Sequence, residues 1–132
     1  QLKNIKWIVK RKREIGNIYY KYLKNCKNII LQKKTTEYSE NIYWVFGIVL
    51  KGKLLNKRNG IMKKLLNKNI GTRPFFVPMN KQKIFKKMGM FKKIKMPISE
   101  YISKNGFYIP SGLGLKNSEI ISVSKILLKV LS

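Results

Sequence analysis

The segment Asn41-Ile-Tyr-Trp-Val-Phe-Gly-Ile-Val-Leu50 constrains the fold more than any other. It is dense in β-branched and aromatic side chains and too short for a buried helix, so it reads as a central strand. It is also the longest apolar run, well short of the roughly 18 residues that a membrane span needs. Lys51-Gly52-Lys53 ends it.

Helical periodicity surrounds this strand. Leu2, Ile5, Ile8, Ile15, Ile18 and Tyr22 recur at helical spacing and predict a long helix over residues 1–25, with Lys10 to Arg13 on the intervening face. Gly16 counts there as a mild penalty. Residues 25–40 read as a polar connection holding a short apolar patch, Ile29-Ile30-Leu31. Asn59 is the expected N-cap of a helix over 60–68, with Ile61, Leu65 and Leu66 as its stripe and Gly71 as its stop. Thr72 to Val77 follows as a strand; Pro74 cannot donate to a ladder, which places it at an edge.

A short helix over 82–88 breaks at Gly89, and Pro97 opens another through Ser103. Phe107 to Ile109 is a further strand. Asn117 or Ser118 caps a terminal helix whose stripe is Ile120, Val123, Leu127 and Leu131. The expected fold class is α+β: a small antiparallel sheet of about three strands packed with a long N-terminal helix and a C-terminal helix. Residues 1–132 form one small domain, of which 41–132 are the α+β body.

Composition removes much chemistry. The 132 residues carry 30 Lys and Arg against five acidic groups, for a net charge of +25, with no His. The acids are Glu14, Glu37, Glu40, Glu100 and Glu119, so Asp is absent too. A Ser-His-Asp triad, a His-based metal site and an EF-hand are excluded. The single Cys26 cannot form an internal disulfide, which fits a reducing, cytoplasmic setting.

Such a charge is the usual footprint of a nucleic-acid binder. Here the excess is nearly all Lys, spread from end to end and accompanied by Asn and Ile, a pattern of compositional drift. Charge on every face focuses field less than a stripe does, so the reading favours a solvated surface over a nucleic-acid site. Ser111 lacks an adjacent base and reads as a turn. Gly112 and Gly114 are loop residues, Trp7 a helix-face residue, Trp44 a sheet-core residue and Cys26 an inert thiol.

The ordered set of motifs carries a resemblance. The helix Gly60 to Ile70, the string Gly71-Thr-Arg-Pro-Phe-Phe-Val-Pro-Met-Asn-Lys-Gln82, Pro97-Ile-Ser-Glu-Tyr101 and Phe107-Tyr-Ile-Pro-Ser-Gly-Leu-Gly-Leu115 follow one another at compatible spacing. Together they resemble the C-terminal part of the DegT/DnrJ/StrS sugar aminotransferases, closest to the perosamine-synthetase-like branch. The resemblance runs the length of the chain, and residues 1–25 are similar to the helix that leaves the cofactor domain in that family.

The resemblance implies a fold-type I pyridoxal 5'-phosphate enzyme that transfers an amino group, usually from glutamate, to a keto carbon of a nucleotide-linked sugar. Surface polysaccharide such as O-antigen is the implied destination, and a homodimer the implied assembly. The family's Schiff-base Lys and pyridine-nitrogen Asp lie in an upstream domain, so these residues are expected to be an inactive fragment without it; the missing initiator Met agrees. Rarer dehydratase relatives, a basic nucleic-acid module and a non-catalytic scaffold are the alternatives.

Within this resemblance the small domain forms one wall of the substrate cleft. Arg73 is the implied anion contact, because a guanidinium can grip phosphate or carboxylate bidentately. Phe75 and Phe76 alternate across the strand, one toward the cleft and one toward the core. Asn80 stands where relatives often carry His, keeping hydrogen bonding and losing any titratable role.

Overall fold

The computed structural model describes residues 2–91 and 94–132; Gln1, at the start of the expected first helix, lies outside the described residues. A 3₁₀ turn, Leu2–Asn4, leads into α1 (Ile5–Leu23). Then follow β1 (Ile29–Leu31), β2 (Phe46–Leu50), α2 (Arg58–Leu66), β3 (Arg73–Pro74), α3 (Lys83–Lys87), α4 (Pro97–Asn105), β4 (Gly106–Ile109) and α5 (Asn117–Leu131). The strands form one antiparallel sheet in the order β1-β2-β4-β3.

The sheet therefore has four strands rather than about three. β1 is the apolar patch read as part of a connection; at three residues it is too short to show an alternating pattern. It is a strand because Ile29 lies opposite Leu50 and Leu31 opposite Ile48.

Alternation along β2 sends Phe46, Ile48 and Leu50 to one face, where Phe107 and Ile109 of β4 join them. Ile15, Tyr19 and Leu23 of α1, Ile120, Leu127 and Leu131 of α5, and Ile61 and Leu65 of α2 complete this core. Full burial of one such side chain contributes about 1.5–3 kcal/mol. The stripe of α5 is thus correctly placed, with Val123 half-buried, whereas in the expected stripe of α2 Leu66 turns outward. At the N-terminal end Leu2, Ile5 and Trp7 remain exposed, and of the expected α1 stripe only Ile15 is fully buried; Tyr19 and Leu23 take the core positions, with Ile8, Ile18 and Tyr22 half-buried.

The expected strand 41–50 begins only at Phe46. Asn41 accepts a hydrogen bond on Oδ1 from the Tyr43 amide at 2.7 Å, and Tyr43 takes φ 50°, so the chain turns instead of extending. Trp44 is left 64% exposed, not in the sheet core. Tyr43 itself is buried, stacked on Phe46 with ring centroids 5.6 Å apart.

Gly16 is what admits the Tyr43 ring. A methyl group there would lie 2.3 Å from Tyr43 Cδ2. The sequence registers only the helix penalty at this position; the close approach of the ring gives the residue its use.

α2 starts at Arg58, one residue before the expected cap, and Asn59 does not cap it: its Oδ1 accepts from Arg58 Nε at 3.1 Å. α5 is closed at its start by Glu119, whose Oε2 accepts from the Lys116 amide at 2.7 Å. The expected strand 72–77 shrinks to β3, because Pro74 supplies no N–H and the ladder ends when the Phe75 amide donates to Gly106 O at 3.1 Å.

Substitution Gly16→Ala tests the Tyr43 seat. An exposed helix would gain up to about 1 kcal/mol from it. Here overpacking against Tyr43 costs about 1–3 kcal/mol, so the urea midpoint should fall; a rise would show that the ring has room.

Candidate functional site

The second face of the sheet is built differently from the first. Its floor is Gly47, Val49, Gly106 and Tyr108, with Gly47 opposite Tyr108 and Val49 opposite Gly106. Phe75 lies across the two glycines: a methyl on Gly47 would come within 2.7 Å of its ring, and one on Gly106 within 2.5 Å. The same ring packs on Tyr108 with centroids 4.6 Å apart. A two-residue edge strand has little backbone pairing of its own, and this seat is what fixes it.

Arg73 is carried by that strand directly opposite Tyr108. It is exposed and lines an open groove of about 610 Å³ with Tyr108, Gly71, Thr72, Pro110 and Gly112. Burial pushes the Tyr108 phenol above its ordinary pKa, so it stays protonated at neutral pH. The groove can therefore present a permanent cation and a hydroxyl from one edge of the sheet.

The far wall of this groove is tied to α1. Tyr19 donates its hydroxyl to Pro110 O at 2.6 Å. Lys12 Nζ donates to Trp44 O and to Ser111 O, both at 2.7 Å, and its pKa is lowered by burial. Arg11 donates to Leu115 O and to Asn117 Oδ1. The basic run Lys10 to Arg13 is thus partly a fastening for the 110–117 loop. Ser111 Oγ accepts from the Phe46 amide at 3.4 Å.

Asn80 belongs elsewhere. It sits in a 3₁₀ turn, Met79–Lys81, only 6% exposed. Its Nδ2 donates to Glu100 Oε1 at 2.7 Å, while Lys81 Nζ pairs with Glu100 Oε2 at 3.1 Å. The hydrogen bond from Asn80, followed by that from Lys81, holds the Glu100 carboxyl below its ordinary pKa. This cluster borders a second pocket that shares no lining residue with the Arg73 groove.

The four expected contacts are therefore not gathered into one cavity. Arg73 lines one groove and Asn80 another. Phe75 is a half-buried structural lid on the sheet, and Phe76 is 71% exposed, edge-on to Tyr108 at 6.0 Å. Sequence reading missed Tyr108, Glu100 and the paired glycines; a Gly inside the β2 run was the available signal, since it marks close backbone or side-chain approach. Among the described residues no cluster of acidic, Cys or His side chains could hold a metal ion.

Two outcomes follow. Gly106→Ala should destabilise more than Gly47→Ala, because the new methyl at 106 also meets the Ile102 carbonyl at 2.6 Å; the loss there is about 1–3 kcal/mol in chemical denaturation. Equal effects would contradict the seat. Glu100, with its folded pKa lowered, adds stability that is present above the unfolded carboxylate pKa and lost as pH falls through the folded value. Between about pH 5 and pH 3 the protein should lose more stability than Glu100→Gln does; parallel curves would refute this.

Comparison with known proteins matches residues 1–128 to the DegT/DnrJ/EryC1/StrS aminotransferase family. GDP-perosamine synthase of Vibrio cholerae is 28% identical over 120 residues, covering 91% of this chain and 32% of that protein. The Escherichia coli GDP-perosamine synthase is 28% identical over 123 residues, covering 93% and 31%. This chain thus spans about a third of the length of these relatives. Among solved structures, a putative sugar aminotransferase from Streptococcus pneumoniae superposes with TM-score 0.87 at 19% identity, covering 99% of this chain and 32% of that one. A Helicobacter pylori aminotransferase of pseudoaminic acid biosynthesis gives 0.87 at 14%, covering 99% and 34%.

Proposed function

The chain belongs to the DegT/DnrJ/EryC1/StrS aminotransferase family, and on that premise we propose that it is the small C-terminal domain of a pyridoxal-phosphate-dependent aminotransferase. The full-length enzyme moves an amino group from glutamate to a keto carbon of a nucleotide-linked sugar bound for surface polysaccharide, and works as a cytoplasmic homodimer. The names of the curated relatives favour the perosamine branch. The observation that carries the reading is Arg73, presented opposite Tyr108 on an edge strand that Phe75 locks to a glycine floor.

Among the described residues none are arranged as a pyridoxal-phosphate site. There is no Asp to pair with a pyridine nitrogen. Glu100 is engaged by Asn80 and Lys81. Lys12, whose ammonium is partly desolvated, is held by two carbonyl oxygens. The cofactor is assigned to the upstream part of the enzyme, where it would supply the electron sink for the transfer.

What this domain contributes is binding and exclusion of water. The Arg73 guanidinium can take two oxygens of one phosphate of the nucleotide-sugar, and Tyr108 can add a hydroxyl contact from the neighbouring strand. Holding the phosphates at the cleft wall fixes the sugar against the reacting centre. The exposed Leu2, Ile5 and Trp7 at the start of α1 are the apolar surface against which the upstream domain packs. Among the described residues no helix is long and apolar enough to cross a membrane.

The test uses the longest open frame containing this chain. Borohydride should trap a pyridoxal adduct on a Lys outside these 132 residues. Arg73→Gln should raise KM for the nucleotide-sugar about 10- to 100-fold, the loss of a charge-assisted contact, with kcat little changed. An adduct within this chain, or an unaltered KM, contradicts the proposal.

A further inference from the structure

The ladder between β2 and β4 ends at Phe46 and Ile109. Because the Phe75 amide bonds Gly106 O, Gly106 and Tyr108 turn their backbone groups to β3, whereas Phe107 and Ile109 turn theirs to β2. Ser111 is next in that series. Carried on by two residues, the register would set it opposite Trp44, each offering its carbonyl to the other's amide. The chain does not continue so: Tyr43 turns with φ 50°, and both residues lie outside the strands.

One side chain stands in for the missing rung. Lys12 Nζ donates to Trp44 O and to Ser111 O, both at 2.7 Å. The two carbonyls that a longer ladder would satisfy are thus satisfied by one ammonium reaching across from α1. Ser111 Oγ adds a weaker tie by accepting from the Phe46 amide at 3.4 Å. Burial lowers the pKa of Lys12, as expected of a cation partly withdrawn from water.

This bridge lies against the groove that holds Arg73. Val45, Pro110 and Gly112 line that groove. The carbonyls on Lys12 belong to residues 44 and 111, which are joined through the chain to those three. The neighbouring ties act differently. Tyr19 holds Pro110 O, and Arg11 reaches Leu115 O and Asn117 Oδ1, beyond the lining residues. Lys12 is what joins the β2 side of the groove to its β4 side.

We propose that Lys12 is a positioning residue for the Arg73 groove: by clamping Trp44 to Ser111 it fixes the spacing of Val45 from Pro110 and Gly112, and so the wall against which a ligand held by Arg73 must fit. Lys12 acts through these backbone segments and touches no substrate. An ammonium has three protons, enough for both carbonyls, and a guanidinium has five donors, so Arg can keep the clamp while Met cannot. The clamp stands on its own geometry; its effect on nucleotide-sugar binding rests on the aminotransferase reading.

Two readouts on the longest open frame containing this chain test it. Hydrogen exchange over residues 110–115 reports the wall directly. Lys12→Met should speed it about tenfold while residues 48–50 of β2 exchange as before, and Lys12→Arg should stay near the unsubstituted protein. In steady-state kinetics Lys12→Met should raise KM for the nucleotide-sugar about 3- to 10-fold with kcat little changed, and Lys12→Arg should restore it. Lys12→Gln, too short to reach both carbonyls, carries the same expectations as Lys12→Met should that variant fail to fold. Lys125→Met, which removes an exposed charge from α5, should alter neither readout. Unchanged exchange over 110–115 overturns the clamp. Faster exchange with an unchanged KM, in an enzyme whose KM does rise with Arg73→Gln, overturns the positioning role alone; a KM that Arg73→Gln also leaves unaltered overturns the binding role of Arg73 on which it rests.

Discussion

β2 is buried from both sides, and the two sides are buried by different means. On one, Phe46, Ile48 and Leu50 meet α1, α2 and α5 in an ordinary apolar core. On the other, Gly47 accepts the ring of Phe75. A side chain at Gly47 would lift that ring, and with it the edge strand that carries Arg73. Gly106, opposite Val49 on the neighbouring strand, extends the same floor. The placement of the Arg73 guanidinium on the sheet edge thus traces back to two missing methyl groups.

A comparable dependence runs along α1. Gly16 admits Tyr43, Tyr19 packs on Phe46 at 4.9 Å and holds the Pro110 carbonyl, and Lys12 ties Trp44 to Ser111 through their carbonyls. One face of one helix therefore joins the turn before β2, the end of β4 and the loop beyond it. The groove beside Arg73 has that loop as a wall, so helix and site are mechanically linked. Exposed ion pairs such as Arg13 to Glu40 add little, since their worth is about 0–1 kcal/mol.

The fold was legible where periodicity was long or apolar density high. α1, β2, α4 and α5 show plainly in the sequence; the stripe of α5 is close to that expected, whereas in α1 the buried positions are Ile15, Tyr19 and Leu23 rather than the Ile15, Ile18 and Tyr22 of the expected stripe. β1 was hidden by its length, and β2 lost its first half to an Asn41 turn that a β-rich run conceals. Trp44 was expected inside because it is aromatic and lies in that run, but the left-handed Tyr43 before it resets which way the chain faces. At the site, Arg73 was readable from its motif. Its separation from Asn80 was not, because the partner of Asn80 is Glu100, twenty residues on in a different helix. The charge excess misled in a smaller way: part of the basic run on α1 is engaged with backbone carbonyls rather than solvated.

The role of Arg73 is decided by a crystal structure of the longest protein containing this chain, bound to a nucleotide-linked amino sugar. The Arg73 guanidinium should lie within about 2.7–3.1 Å of phosphate oxygens of that ligand, with Phe75 still seated on Gly47 and Gly106 and the cofactor held by residues outside this chain. A ligand whose phosphates are bound elsewhere, with Arg73 left in solvent, would contradict it.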